Sequence, residues 1–301
     1  MLPLINKKKS IGKEGYIALF EHLSTKLSSV LSTQGDLRSI AVPLRNDFFF
    51  CPYEINIRED MIYGKFIKFD KVDVVRKTIS REQTYAAGFG ESSKIYEYRF
   101  VFDPLLHILA IEDTASLPSA NVLYIVFKEL FKESRRKLYR TYRMTVDELT
   151  ASASLDKVIN DAKGYYSFRS EITFSNSNDF LAGLEELLEN IETEMKDKGI
   201  DKVEHKESAD RDSIMSDVST NALVYAGLSC KFGNTEITYK DKSNKKKVFK
   251  MADYPVRIRV SESMKKRDSY LDYYYDIKNT INDANNSARA GNGLLKKIRE
   301  G

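Results

Sequence analysis

Apolar residues recur at helical spacing from Ile17 to Leu31, where Ala18, Leu19, Leu23, Leu27, Val30 and Leu31 define one stripe. The pattern then changes period. Phe48 to Cys51 and Tyr53 to Ile57 are β-rich, and Met61 to Phe69 alternates residue by residue. Arg58-Glu59-Asp60 lies between them, which predicts a hairpin. Residues 71–94 are polar and read as a loop, flexible around 88–94. Ile95 to Phe102 and Leu105 to Ile111 form a second strand pair about the Asp103-Pro104 turn. One helix is expected from Ser116 to Leu138, with Val122, Leu123, Val126, Phe127, Leu130 and Phe131 as its stripe. A strand from Tyr139 to Val146 and a short helix within 146–160 follow.

Gly164 to Phe174 alternates as a strand, and Asn178 to Lys196 is the strongest helical pattern in the chain. Ile200 to His205 reads as a strand and Ser213 to Thr220 as a helical turn or linker. A four-strand meander is expected next: Ala222 to Phe232, Thr235 to Tyr239, Lys246 to Met251 and Val256 to Val260. Gly233-Asn234 and Asp241 to Asn244 would be its turns. A Tyr-rich helix, Ser263 to Ala284, precedes a basic end. Helices interleaved with hairpins predict an α+β fold of antiparallel sheets rather than a doubly wound parallel sheet. Two subdomains are expected, 1–150 and 151–301. The second would carry the acidic helix, the meander and the terminal helix.

The 301 residues are 42% hydrophobic and 31% charged, enough to bury a real core. Cys51 and Cys230 each lie in an apolar run and read as reduced core thiols. Two Cys and three scattered His (His22, His107, His205) lack metal-ligand spacing, so neither a metal site nor a cofactor is expected. No signal-peptide pattern and no membrane-span pattern is visible, which predicts a cytoplasmic protein.

Charge is sorted into blocks. Residues 179–217 carry 13 acidic and 5 basic residues, a net of −8. Residues 231–267 carry 12 basic and 4 acidic, a net of +8. Residues 124–143 carry 7 basic and 2 acidic, a net of +5. Segregated charge draws a polyanion to one face and repels it from another. The candidate phosphate-contacting residues are Arg135, Arg136, Lys137, Arg140 and Arg143, then Lys245, Lys246 and Lys247 at a hairpin tip. Lys265, Lys266 and Arg267 at a helix start complete the set. Cations at a helix start oppose the dipole, so an anionic partner has to account for them: a phosphate or the acidic helix. The same runs also fit a solvated face paired within the chain.

Catalytic patterns are sparse. Gly88-Phe89-Gly90 with Lys94 lacks the Gly-Lys-Ser/Thr ending of a phosphate loop. Glu204-His205-Lys206 resembles half of a metal-dependent nuclease site, with Asp179 or Asp197 as the candidate partner carboxylate, both on or beside the acidic helix rather than a strand. His22 and His107 have no nucleophile at motif spacing.

The second half, roughly 165–285, resembles the RexA-like phage-exclusion proteins in the order of its parts. NDFLAGLEELLENIETEMKDKG is followed by AGLSCKFGNTEITYKDKSNKKKVFKMADYPVRIRV and a charged helix. Leu228-Ser229-Cys230-Lys231 through Thr238-Tyr239 to Tyr254-Pro255-Val256 is the nearest local match. The hairpin after Met61, the loop 80–94 and Phe102-Asp103-Pro104 are similar more loosely. The resemblance implies antiviral defence, non-specific DNA-binding, a homodimer and a fold like that of the recombination regulator RdgC. It carries no catalytic residues. The resulting expectation is a non-catalytic DNA-binding protein, a sensor subunit for a separate effector, with room for a membrane-protein partner. The alternatives are a nuclease using Glu204 and Lys206, and a protein-interaction subunit of a defence complex.

Overall fold

The computed structural model describes residues 2–3, 11–72, 74–88, 90–173, 194–195, 198–200, 202–260, 270–287, 294 and 296–298. Two short strands, β1 (Leu2–Pro3) and β9 (Tyr142–Arg143), bracket the first of two compact units, Ile11–Tyr142. The second unit is Arg143–Gly301, with Met1–Ser10. The fold is α+β with antiparallel sheets.

In the first unit a five-stranded antiparallel sheet runs in the order β2 (Val42–Pro43), β3 (Phe48–Ile57), β4 (Ile62–Asp70), β7 (Ile95–Asp103), β8 (Ile108–Ile111). The two β-rich segments before Arg58 are one strand, β3. Its register shifts between Pro52 and Glu54, where proline has no N–H to give the ladder. Opposite this bulge Gly64 lies so close that a Cβ would fall 1.9 Å from the Glu54 carbonyl oxygen. Only glycine fits there. α1 (Gly12–Ser32) and α2 (Ala120–Leu130) cover one face. Phe66, which is fully buried, meets Phe100 at 4.4 Å, Phe50 at 5.4 Å and Phe127 of α2 at 5.4 Å between ring centroids. On the other face Cys51, Ile67 and Phe69 pack under Leu37, Ile40 and Ala41. Burial pushes the Cys51 thiol up to about 12, and Cys230 to about 12 by burial and then the charge of Asp156. Both thiols are free and buried.

Three expectations for this unit are corrected. Residues 71–94 are not all loop: β5 (Val74–Arg76) and β6 (Gln83–Ala86) pair as a separate two-stranded ribbon. Exposure on both faces of this ribbon removes the apolar alternation that marks a strand in sequence. The expected helix 116–138 is divided at Phe131 into α2 and α3 (Lys132–Leu138), with the Phe131 ring packed edge-on against Phe20 at 4.8 Å. The strand expected over 139–146 shrinks to β9.

The ribbon's base is held by Asp70. Its carboxylate accepts Ser93 N and Lys94 N, each at 2.8 Å, and Ser92 Oγ at 2.5 Å, as well as Ser93 Oγ. Partial burial pushes the carboxyl up, yet these hydrogen bonds outweigh it and hold the carboxyl at about 2, against an ordinary 3.8. A depressed carboxylate stabilises the fold above its unfolded value and loses that contribution as pH falls. The clamp is therefore intact above pH 3.8 and released as pH drops through about 2. Asp70→Ala is expected to release it at neutral pH, seen as faster amide exchange at Ser93 and Lys94 with the sheet core still protected.

The second unit holds a four-stranded antiparallel sheet, β11 (Lys202–Ser208), β10 (Gly164–Thr173), β12 (Gly233–Lys240), β13 (Lys246–Lys250). α4 (Ser152–Asp161) and α5 (Thr220–Phe232) contribute to its core with Leu155, Ile159, Leu223 and Leu228. The meander is corrected at both ends. Ala222 to Phe232 is helical, not a strand, and Gly233 is the point where helix becomes strand rather than a hairpin turn. A Cβ on Gly233 would lie 1.8 Å from the Glu171 carbonyl oxygen of β10. Residues 256–260 form no strand; Pro255 makes only a single bridge to Thr150. The turn at Asp241 to Asn244 is present: Asp241 Oδ1 accepts Ser243 N at 2.8 Å and Lys245 N at 2.9 Å.

At the centre of this core Thr235 Oγ1 meets Ser170 Oγ at 2.7 Å and Ser229 Oγ at 2.6 Å, all three buried. Thr235→Val keeps the shape but strips both serines of that contact. A loss of about 1–3 kcal/mol is expected, read by urea unfolding. α6 (Tyr270–Ser287) buries Tyr273 and Tyr274, rings edge-on at 5.6 Å, so these tyrosines are core residues rather than a stacking platform. The expected acidic helix over 178–196 lies outside the described residues apart from Glu194 and Met195.

Candidate nucleic-acid interface

α3 carries the first basic cluster. It is fixed to α1 by Ser134 Oγ, 2.9 Å from His22 Nδ1, and by Glu133, 2.5 Å from Lys26 Nζ. That hydrogen bond and the charge of Lys26 hold the Glu133 carboxyl below its usual range. Arg135 is half-buried and donates Nη1 to the Tyr142 carbonyl at 2.6 Å. It therefore shapes the turn after the helix, where Tyr139 and Tyr142 meet edge-on at 5.9 Å. Arg136, Lys137 and Arg140 are exposed, and among the described residues no carboxylate lies within ion-pairing distance of them. Lys137 reaches Glu133 only through its field. Cations in a last helical turn also suit the dipole. Arg143 falls in the second unit, and its side chain lies outside the described residues.

The hairpin-tip block is different, because much of its charge is met within the chain. Lys247 pairs with Asp241 at 2.9 Å and Lys242 with Asp161 at 3.0 Å. Lys246 lies 4.7 Å over the Tyr166 ring. The bond to Asp241 holds the Lys247 ammonium above its ordinary value. Of the three lysines from 245 to 247, Lys245 is the one left to solvent among the described residues. Lys265, Lys266 and Arg267 lie outside the described residues.

The described part of the candidate nuclease site lies on β10 and β11. Glu204 and Glu171 face each other across β11 and β10, but their charge is met by cations of the same sheet face. Arg169 Nε lies 2.8 Å from Glu204, and Lys202 Nζ lies 2.8 Å from Glu171. Arg169's hydrogen bond and charge hold the Glu204 carboxyl low. Lys206 is exposed, and among the described residues no group of three His, Cys, Asp or Glu could hold a metal ion. Asp179 and Asp197 lie outside the described residues. His205 Nε2 and Ser219 Oγ both bond Glu207 Oε1, the former at 2.8 Å. A nucleophilic triad needs the imidazole between serine and carboxylate. Here the carboxylate is between them, and Ser219 caps α5 by accepting Ala222 N at 3.2 Å.

The 88–94 segment has no free anion-binding loop in its described part, because the N–H groups of Ser93 and Lys94 already bind the Asp70 carboxylate. Glu91 takes Gly88 N at 2.6 Å and the Tyr85 hydroxyl. His107 sits at φ +59 in the β7–β8 turn with its ring 4.4 Å from that of Tyr16, a packing role.

Sequence reasoning missed Arg76 and Arg81 of the β5–β6 ribbon. Both are exposed, and neither meets a carboxylate among the described residues. The signal was present in Val74-Val75-Arg76 and Gln83-Thr84-Tyr85, two β-prone runs about a polar turn.

These features define an α+β protein whose surface, among the described residues, carries exposed cations without an ion-pair partner at Arg136, Lys137, Arg140, Arg76 and Arg81. A family model described as a domain of unknown function (DUF4747) matches residues 5–279, and the chain belongs to that family. No curated protein and no solved structure matches the chain. Among the described residues no helix is long and apolar enough to cross a membrane.

Proposed function

We propose that this protein binds DNA through exposed cations of its Ile11–Tyr142 unit, without regard to sequence and without catalysing a reaction. The observation that carries the reading is the set Arg136, Lys137 and Arg140, exposed and without an ion-pair partner among the described residues, beside the Tyr139–Tyr142 turn. An ionic surface of this kind meets phosphates by counterion release, which gives affinity but reads no base. In the other unit Lys245 is exposed, while Lys246 and Lys247 are held by their own partners. The resemblance to phage-exclusion proteins supports a role in bacterial antiviral defence, and the reading takes that role to be cytoplasmic. There a homodimer would sense phage DNA for a separate effector. The test is fluorescence anisotropy on duplex DNA with Arg136→Glu plus Lys137→Glu. The reading expects that pair to lose binding; unchanged affinity overturns it.

A further inference from the structure

The ribbon of β5 and β6 projects from the end of β4 without packing against the unit that carries it. Every described residue from Val74 to Ala86 is exposed, on both strands. A two-stranded ribbon with neither face covered is marginal in water. This one is braced at its base instead, by the Asp70 clamp, by Glu91 on Tyr85, and by Thr84 Oγ1 donating to the Val75 carbonyl at 3.0 Å. Its tip is closed by Lys77 N to Glu82 O at 2.9 Å and Arg81 N to Lys77 O at 3.0 Å. That turn sets Ile79 at the apex, 98% exposed. At that exposure the Ile79 side chain buries no apolar surface within the described chain.

The charge around that apex is one-sided. Residues 74–86 hold three basic residues and one acidic. The acidic residue, Glu82, is taken by Lys77 at 2.7 Å. Arg76 spends one N–H on the Arg81 carbonyl at 3.4 Å, and both guanidinium charges remain unneutralised among the described residues. An aliphatic tip between free guanidiniums suits a partner that pairs dense anionic edges with an apolar interior, which describes the stacked bases of duplex DNA between their phosphates. From Val74 to Arg76 the strand rises about 7 Å at ~3.3 Å per residue, and the turn that carries Ile79 lies beyond it. That reach is comparable with the minor-groove depth of about 7.5 Å.

We infer that the β5–β6 ribbon is an arm that enters the minor groove of duplex DNA. Ile79 is its wedge at a base step, and Arg76 and Arg81 hold the flanking phosphates. Wedges of this type unstack a flexible step and bend the duplex. The inference rests on the DNA-binding reading above and adds a contact that reading does not contain. It also gives the Asp70 clamp a task, since an arm transmits force to DNA only if its base is fixed.

The experiment uses the full chain and a duplex with 2-aminopurine at a central TA step. Binding of the unaltered protein is expected to raise the 2-aminopurine emission. Ile79→Ser is expected to abolish that rise while affinity changes by less than about 3-fold, since the ionic contacts persist. Arg76→Glu with Arg81→Glu is expected to weaken binding by about 10-fold or more and flatten the salt slope by about 2. The ribbon buries nothing, so circular dichroism should report all variants as folded. If the ribbon variants match the unaltered protein while Arg136→Glu plus Lys137→Glu abolishes binding, the arm is overturned and the broader reading stands. If the unaltered protein retains no DNA, both fall. If the ribbon variants change only the oligomeric state, the arm is a protein contact and the inference is wrong.

Discussion

Arg136→Glu combined with Lys137→Glu is expected to reduce affinity for duplex DNA on the order of 100-fold at ~0.1 M salt. The number follows from counterion release: each phosphate contact contributes a slope of about 0.9 in log K against log salt. Two lost contacts account for most of the fall, and two new repulsions deepen it. Stability should hardly move, because both side chains are exposed and make no ion pair among the described residues. Arg135→Glu is the contrasting case. Arg135 holds the Tyr142 carbonyl at 2.6 Å, so its loss should loosen the 139–142 turn. Weaker DNA binding by that variant would mix a structural effect with an ionic one. Anisotropy titrations of both, beside urea unfolding, separate the two.

The largest expected effect on stability is at Phe66. It is fully buried, 4.4 Å from Phe100 and 5.4 Å from both Phe50 and Phe127. Phe66→Ala removes the ring that joins the sheet to α2 and leaves a cavity its aromatic neighbours cannot close without leaving their rotamers. A loss of about 3–5 kcal/mol is expected, a large part of the roughly 5–15 kcal/mol that holds a typical domain folded. Chemical unfolding of the Ile11–Tyr142 unit in the full chain checks it. Phe66→Leu should recover much of the loss, since it keeps most of the apolar volume.

How much of this was legible in sequence depends on whether one face of an element is wet. α1 buries one side and exposes the other, so its period declared it, while β3, β4 and β7 were marked by aromatic and β-branched runs bounded by turn residues. Ala222 to Cys230 lacks an exposed side. The helix is apolar nearly all round, with Leu223, Val224, Ala226, Leu228 and Cys230 all buried. Periodicity cannot then separate it from a buried strand. Its small residues were the better guide, since Ala226 and Ser229 allow close approach to a sheet, and Ser229 Oγ meets Thr235 of β12 at 2.6 Å. The β5–β6 ribbon failed for the opposite reason, being exposed on both faces. The basic blocks were legible as charge but not as availability. Lys247 finds Asp241 across a turn and Lys242 finds Asp161 from another helix, pairings that only tertiary structure creates. Arg135 likewise looked like its neighbours in sequence yet is spent on a backbone carbonyl.

The clearest test of the central claim is the salt dependence of duplex binding by the unaltered protein, followed by anisotropy from 50 to 200 mM salt. Arg136, Lys137, Arg140, Arg76 and Arg81 of the Ile11–Tyr142 unit offer five exposed cations, which predicts a slope in log K against log salt of about −4 to −5. Little difference between unrelated duplex sequences is expected. Binding that ignores salt, or no binding at 50 mM, would contradict the account.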